Sequence, residues 1–352
     1  MTMTSLERVM TVISGGIPDR VPADLHNFLM AARTAGIPLA ECMQSGDLLA
    51  ESQIFAWRVF KHDMLLVENG TAALAQAMGC GVQYADDAAP LVVDPVLKTL
   101  EDVDTLRLPD PEKEQPLPQI LKAVSVLKRE FGDRVFIMGR ADQGPMALAA
   151  GLRGYSQFFL DLGEENNGPL IEQLLDICVE TDIRYAHALR EAGAHGTSLG
   201  ELGSDTISPA MYRRLGLPRL KKFYSAMQGK RFPASLHQCG NTAAVLSDMV
   251  SSGAAILELD PRTDARAAKE TTRKKTTILG MVDPANVLER GTPALIREKS
   301  REAIEVLAPG GGFILGPGCA LTPETPEANV KALVECAARF GRYRPDGTLL
   351  GR

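Results

Sequence analysis

The feature of this sequence that most restricts its fold is the recurrence of short apolar runs, each followed by a stretch with helical spacing. Eight strand-like runs cover residues 21–25, 64–67, 135–138, 197–199, 232–236, 255–259, 277–281 and 312–315, and apolar residues are the majority in all of them except 197–199. Short apolar runs are typical of parallel strands that are buried on both faces. Strands that alternate with helices form a parallel sheet with the helices outside. The pattern therefore predicts an α/β fold: a (β/α)8 TIM barrel in which residues 1–352 form a single domain with an N-terminal helical extension.

The predicted helices lie between these runs. Helical spacing of apolar residues covers 8–13, 48–60, 71–78, 119–131, 170–192 and 242–250. Ser208 and Pro209 are expected to begin a further helix, because serine caps a helix and proline suits its first position. Residues 81–108 contain several prolines and show neither the helical nor the strand spacing of apolar residues, so we expect an irregular surface segment there.

Composition excludes several classes of protein. Of the 352 residues 45% are apolar and 23% charged, and no run of 18 apolar residues occurs, so we expect a globular protein without a membrane span. A net charge of −6 without a lysine- or arginine-rich run argues against nucleic acids and anionic membranes as partners. No secretory signal is visible at the N-terminus, which makes the cytoplasm the expected location.

Six cysteines are too few for a disulfide framework in a chain of this length. Two of them belong to the most specific motif in the sequence and are taken up next. The other four are Cys42, Cys80, Cys178 and Cys336, and we expect them to be ordinary packed thiols.

The candidate site combines His237 and Cys239 with the distant Cys319. His237 and Cys239 are two residues apart at the end of an apolar run, so both side chains face the same side of a strand. Cys319 follows another strand-like run and a Gly/Pro turn. One imidazole and two thiolates suit Zn²⁺, and three protein ligands leave one position open, as in catalytic zinc sites. The competing interpretation is that these are a hydrogen-bonded histidine and small core cysteines.

Carboxylates at other predicted strand ends are weaker candidates. Glu201 is a candidate fourth ligand or proton acceptor, or else it caps nearby amides. Asp142 is a candidate for orienting the substrate. Glu68 has a standing similar to that of Asp142, and Arg140 is a candidate partner of Asp142. We expect His26 to be a hydrogen-bonded wall residue and Asp205 an ordinary loop carboxylate. Asp260 and Asp283 also follow strand ends and have no assigned chemistry.

The residues also carry a family resemblance. The segment 237–241, His-Gln-Cys-Gly-Asn, together with Gly-Pro-Gly-Cys at 316–319, resembles the His-x-Cys…Cys zinc pattern of corrinoid-dependent methyltransferases in the uroporphyrinogen decarboxylase superfamily, and the methylcobamide:coenzyme M methyltransferases in particular. The segments 17–22, 144–149 with 152–154, 208–209 and 325–329 are similar to other parts of that family. The resemblance implies a barrel with zinc on His237, Cys239 and Cys319.

The resemblance also implies the partners of the reaction. A corrinoid, as cobalamin or on a corrinoid protein, would exchange a methyl group with a small substrate activated by zinc. A thiol acceptor and a methoxy or methanol donor both fit, and the sequence leaves the direction of transfer open.

Two other functions compete with this one. Uroporphyrinogen decarboxylase itself needs no metal and holds its substrate's carboxylates with arginines of an N-terminal loop, whereas the corresponding segment here, 26–33, lacks an arginine-rich signature. A barrel that binds a tetrapyrrole or a partner without catalysis is the third hypothesis. One departure from the methyltransferase pattern is at 74–78, where Leu-Ala-Gln-Ala-Met replaces a glutamate-rich segment, and this bears on the identity of the methyl donor and acceptor.

Overall fold

The computed structural model describes residues 2–227 and 232–350. Its strands are β1 Met64–Val67, β2 Gly81–Gln83, β3 Leu91–Asp94, β4 Phe136–Gln143, β5 Gly196–Glu201, β6 Ala234–Gln238, β7 Ile256–Leu259, β8 Thr277–Val282 and β9 Phe313–Pro317. Its α-helices are α1 Ser5–Ile13, α2 Phe28–Thr34, α3 Leu39–Cys42, α4 Gly46–Phe60, α5 Ala73–Ala77, α6 Leu117–Phe131, α7 Pro145–Arg153, α8 Tyr155–Gly163, α9 Gly168–Glu191, α10 Pro209–Met211, α11 Leu217–Met227, α12 Leu246–Ser251, α13 Ala265–Thr272, α14 Pro293–Leu307 and α15 Glu327–Phe340. Short 3-10 or π-helical turns occupy Glu101–Thr105, Glu165–Asn167, Tyr212–Gly216, Thr242–Ala244 and Pro284–Glu289.

Seven strands form one parallel sheet in the order β1-β4-β5-β6-β7-β8-β9. Each strand after β4 follows its neighbour in the chain, and helices fill the connections between them. Because parallel neighbours need a crossover, the helices lie outside the sheet and cover its outer face. The α/β barrel of TIM type predicted from the alternation is confirmed.

Residues 21–25, the predicted first strand, lie between β9 and β1 without forming a regular strand. Ala23 makes a parallel bridge to Leu315 of β9, whose N–H donates to the carbonyl of Pro22 at 2.9 Å. On the other side the N–H of Asp63, next to β1, donates to the carbonyl of Ala23 at 2.8 Å. Proline has no N–H to donate, so the ladder is interrupted at Pro22. The segment therefore takes the place of the eighth strand with few of its hydrogen bonds.

The barrel interior changes from apolar to polar along the strands. Every second residue of a strand faces inward. At the beginning of the strands these positions hold the apolar residues Met64, Leu66, Phe136, Met138, Ile256, Leu279 and Ile314, which form one buried cluster with Val9 and Val12 of α1. Two residues further along the same faces come Glu68 after β1, Arg140 in β4 and Glu258 in β7. The barrel therefore has a packed apolar floor and a polar mouth at its C-terminal end, where barrel enzymes keep their chemistry.

Helix α1, the predicted N-terminal extension, closes the floor with two valines of that cluster and a buried ion-pair network. Arg8 is 5% exposed and donates to Oδ1 of Asp63 at 2.7 Å and to Oδ1 of Asp19 at 2.6 Å. Arg20 donates to Oδ2 of Asp63 at 2.7 Å. This network ties α1 to the segment before residues 21–25 and to the chain that enters β1.

Two further local predictions differ from the structure. Part of the segment 81–108 is regular, because β2 and β3 pair as an antiparallel hairpin and residues 101–105 form a 3-10 turn. The predicted helix 242–250 is divided into the turn 242–244 and α12. Short or distorted elements of this kind carry too few residues for a periodic signal.

The four cysteines outside the candidate site are buried, as expected; they are Cys42, Cys80, Cys178 and Cys336. The helices among residues 2–227 and 232–350 include none with the length and hydrophobicity to cross a membrane.

Candidate metal centre

His237, Cys239 and Cys319 come together at the barrel mouth. Their ligand atoms all lie within 4.8 Å of one another. Nε2 of His237 is 3.1 Å from Sγ of Cys239, and the two Sγ atoms are 3.7 Å apart. His237 is buried, whereas the two cysteines are partly exposed, so one side of the cluster is open to the mouth.

Two glycines allow the turns that present the cysteines. Gly240, after Cys239, has a φ of +95°, a conformation that glycine adopts without steric cost. Gly318, before Cys319, lies against the end of β7 and the loop after it: a Cβ would be 2.8 Å from the carbonyl oxygen of Leu259 and 2.5 Å from Cδ of Pro261. Gly240 therefore allows the bend after Cys239, and Gly318 allows the close approach of two chain segments before Cys319.

The donor set fits a tetrahedral zinc ion. With Zn–S bonds of about 2.3 Å, two sulfurs at a tetrahedral angle stand about 3.8 Å apart. The observed Sγ–Sγ distance is 3.7 Å. The distance from Nε2 of His237 to Sγ of Cys239 is shorter, 3.1 Å, and needs to widen by a few tenths of an ångström. Nδ1 of His237 points away from the sulfurs, which leaves Nε2 as the ligand atom.

The contact between the two sulfurs makes Cys239 and Cys319 unequal acids. A hydrogen bond from Cys319 lowers the pKa of Cys239. The same contact, together with burial, raises the pKa of Cys319 to about 12. Cys239 is therefore the first thiolate, and binding of a divalent cation would release the proton of Cys319.

Glu258 of β7 is the buried carboxylate next to His237. The two residues are register partners, and Oε2 of Glu258 lies 3.5 Å from Nδ1 of His237. Burial opposes ionisation of Glu258, but the charges of His237 and His26 outweigh it and lower its pKa to about 2. At 3.5 Å the contact is an ion pair and not a hydrogen bond among the described residues, so Glu258 acts on the outer nitrogen of His237 through its charge.

Glu258 belongs to a chain of buried charges that crosses the mouth. Nδ1 of His26 is 2.7 Å from Oε1 of Glu258, and Nε2 of His26 is 2.7 Å from Oε1 of Glu68. Each ring nitrogen of His26 thus faces a carboxylate oxygen at hydrogen-bond distance. Burial lowers the pKa of His26, but the two carboxylates outweigh it and raise the pKa well above its ordinary value. Nε of Arg140 completes the chain 3.0 Å from Oε2 of Glu68.

Asp142 lies at the end of β4 with a φ of +69°. Its Oδ2 accepts a hydrogen bond from the N–H of Leu74 at the beginning of α5, 2.7 Å away. Its Oδ1 is buried and has no hydrogen-bond partner among the residues that the structure describes. Burial raises its pKa to about 7. A role of Asp142 in orienting the substrate stays a prediction, for which Oδ1 is the available atom.

Glu201 ends β5 on the side of the helices. Its Oε1 accepts hydrogen bonds from the N–H groups of Ala147 and Leu202, at 2.9 and 2.8 Å, and its Oε2 accepts one from Met146 at 3.3 Å. Burial raises its pKa to about 7. These are the contacts of a cap on the beginning of α7. A role as fourth ligand or proton acceptor stays a prediction.

The remaining polar residues at strand ends mostly support loops. Asp283 accepts hydrogen bonds from two N–H groups of the turn 284–289. Asp260 accepts one from the N–H of Gly240 at 2.9 Å, and Arg262 pairs with both Asp260 and Asp205. This cluster fixes the turn that follows Cys239.

Sequence reasoning missed Glu258. The available signal was a glutamate inside the apolar run 255–259, two residues after the inward-facing Ile256. A charge at an inward position of a buried strand needs a partner, and that requirement marks it as a candidate for the site.

Comparison with known proteins relates the whole chain to one family. Residues 4–340 match the sequence model described as uroporphyrinogen decarboxylase (URO-D). The methylcobamide:CoM methyltransferase MtbA of Methanosarcina acetivorans is 32% identical over 272 residues, which cover 76% of this chain and 77% of the relative. A uroporphyrinogen decarboxylase of Syntrophotalea carbinolica is 29% identical over 308 residues, 86% of this chain and 87% of the relative.

A solved structure shows the same fold. A methyltransferase from Methanosarcina mazei superposes with a TM-score of 0.87 at 27% sequence identity, covering 96% of this chain and 99% of the other.

Proposed function

Because this chain belongs to the uroporphyrinogen decarboxylase family, we propose that it is a zinc-dependent methyltransferase that moves a methyl group between a corrinoid and a small thiol. The observation that carries the proposal is the convergence of His237, Cys239 and Cys319, whose ligand atoms lie within 4.8 Å of one another. The methylcobamide:CoM methyltransferase relative and the methyltransferase of similar structure support the reaction class.

The residues of the mouth have distinct parts in this proposal. Nε2 of His237 and the sulfurs of Cys239 and Cys319 would hold the zinc, which when bound lowers the pKa of a thiol and keeps its sulfur in place for methyl transfer. The partly exposed side of the two cysteines is where a substrate sulfur has access. Glu258 faces the outer nitrogen of His237, and two thiolates balance the charge of a divalent ion.

The corrinoid would arrive from outside the barrel. The floor of the barrel is filled by a buried apolar cluster, so the partly exposed cysteines are approached from the mouth. We therefore propose that cobalamin, free or on a corrinoid protein, docks over the mouth. We place the enzyme in the cytoplasm, where thiols remain reduced.

The first experiment measures zinc and methyl transfer in the purified protein. We expect one zinc per chain and methyl transfer from methylcobalamin to a panel of small thiols. The transfer is measured from the absorbance change of the corrinoid as its cobalt–carbon bond is broken. A methoxy donor with cob(I)alamin tests the opposite direction. A protein without zinc that decarboxylates uroporphyrinogen would support the competing function instead.

A matched pair of cysteine variants tests the site. Cys319→Ser is expected to lose most of the zinc and the transfer activity together. Cys336→Ser makes the same substitution in α15, away from the site, and should keep both. If Cys319→Ser retains stoichiometric zinc and activity, the assignment of the centre is wrong.

A further inference from the structure

His26 connects the two halves of the ligand set, although it is not in the set. Its ring lies edge-on to the ring of His237, with centroids 6.1 Å apart, and its Nδ1 is bonded to Glu258, the register partner of His237. Its backbone carbonyl accepts the N–H of Leu321, two residues after Cys319, at 3.0 Å. His26 therefore contacts both Glu258, which lies beside His237 of β6, and the loop after β9 that carries Cys319.

The backbone of His26 is held in an unusual conformation. Its φ is +40°, in the left-handed region that residues with a side chain rarely adopt. Such a conformation persists only where the surroundings determine it, and it concentrates at functional sites. Here the constraints are two carboxylate hydrogen bonds of 2.7 Å on the side chain and the bond from Leu321 on the main chain.

The bond to His26 also decides where Glu258 points. Oε1 of Glu258 is committed to His26, so the carboxylate can rotate little and Oε2 stays 3.5 Å from Nδ1 of His237. Glu68 holds the far side of the imidazolium, and Glu68 is in turn paired with Arg140 at 3.0 Å. Two cations and two carboxylates balance within this chain of charges, so none of them needs to turn toward the sulfurs.

We propose that His26 is a positioning residue of the metal centre, which acts through Glu258 to orient His237 and through its main chain to place the loop of Cys319. The inference rests on the proposed zinc function and adds a residue to it. Loss of a partner outside the ligand set typically weakens metal binding 10- to 100-fold, and an effect of about that size is expected here.

The variant His26→Asn separates the side chain from the main chain. Asparagine tolerates the left-handed conformation, so the bond to Leu321 is kept while the imidazolium is lost. We expect the zinc dissociation constant, measured by competition with a chelator at fixed pH, to rise roughly 10- to 100-fold. The control is His62→Asn, because His62 is also a fully buried histidine but lies outside the mouth.

A double-mutant cycle with Glu258→Gln distinguishes positioning from general destabilisation. If His26 acts through Glu258, the double variant binds zinc about as weakly as Glu258→Gln alone, so that the two effects are not additive. Additive losses would overturn the proposal, as would an unchanged zinc dissociation constant in His26→Asn.

A second variant keeps the test possible if His26→Asn does not fold. Glu68→Gln weakens the other hydrogen-bond partner of the His26 ring and should still lower zinc affinity. An unchanged affinity in that variant counts against the proposal. A wild-type protein that binds no zinc refutes the proposed function itself.

Discussion

Gly200 and His237 face each other as register partners in β5 and β6, and the missing side chain of Gly200 leaves the space that the guanidinium of Arg140 fills. A Cβ at residue 200 would stand 2.1 Å from Nη2 of Arg140. Arg140 is 4% exposed, and its Nη1 has no hydrogen-bond partner in the described part of the chain. Arg140 belongs to β4, but its buried guanidinium lies at Gly200 of β5, the strand next to the one that carries the candidate ligand His237.

The variant Gly200→Ala should displace Arg140 from Glu68 without removing any charge. Because small displacements near a reacting group can reduce rates by about two orders of magnitude, we expect methyl transfer to fall roughly 10- to 100-fold. Zinc content should remain stoichiometric, since the ligands themselves are untouched. Gly163→Ala is the control, because a Cβ there would meet no atom within 4 Å. Equal activity of the two variants would show that Arg140 has no part in the reaction.

The buried network under the barrel should dominate stability. Asp63 accepts hydrogen bonds from Arg8, Arg20 and the N–H of Ala23. Asp63→Ala removes the carboxylate that Arg8 and Arg20 share, and Arg8 keeps only its pair with Asp19. Removing one partner of a buried ion pair costs about 3–5 kcal/mol. The measurement is the free energy of unfolding in urea. Asp47→Ala, which breaks the exposed pair with Lys122, should cost less than about 1 kcal/mol, and a similar loss in both variants would contradict the argument.

The variant Glu201→Gln decides between the interpretations of Glu201. Glutamine keeps an oxygen for the N–H groups of Ala147 and Leu202 but loses the bond to Met146, so stability should fall by about 1 kcal/mol. As a cap on α7, Glu201 would leave the zinc content of the protein unchanged. Loss of zinc in this variant, measured by elemental analysis, would instead identify Glu201 as a ligand.

The pKa of Asp142 predicts a pH-dependent effect on stability. Burial raises that pKa to about 7, so between roughly pH 4 and pH 7 the folded protein keeps a proton that the unfolded chain has released. Stability contributed by Asp142 is therefore greatest at low pH and falls as the pH rises through this window. Asp142→Asn cannot ionise and still accepts from the N–H of Leu74. The free energy of unfolding of Asp142→Asn should exceed that of the wild type by more at pH 8 than at pH 5, and the difference should be on the order of 2 kcal/mol.

Urea unfolding of both proteins at the two pH values provides the test. Asp87→Asn, an exposed substitution of the same kind, is the control. A gain that is the same at pH 5 and pH 8 would mean that Asp142 is already ionised in the folded protein across this range.

The alternation of short apolar runs with helical spacing was sufficient to predict the barrel, because both periodicities are properties of neighbouring residues. The same local rule placed His237 and Cys239 on one face of a strand. It was less successful for residues 21–25, where Pro22 removes ladder hydrogen bonds, and for the hairpin of β2 and β3, whose strands are only three and four residues long.

Local periodicity does not predict contacts between distant parts of the chain. Cys319 was grouped with His237 and Cys239 from the predicted strand ends and the family pattern, and Glu258 was missed. Cys239 and Cys319 are 80 residues apart, and His26 and Glu258 are 232 apart. Which side chains meet depends on how the sheet curls and on how each loop bends at its glycines, and no short stretch of sequence encodes either. The pattern of neighbouring residues therefore accounts for the strands, the helices and the placement of His237 and Cys239 on one face. Closure of the barrel brings Cys319 to these two residues and places Glu258 and His26 next to His237.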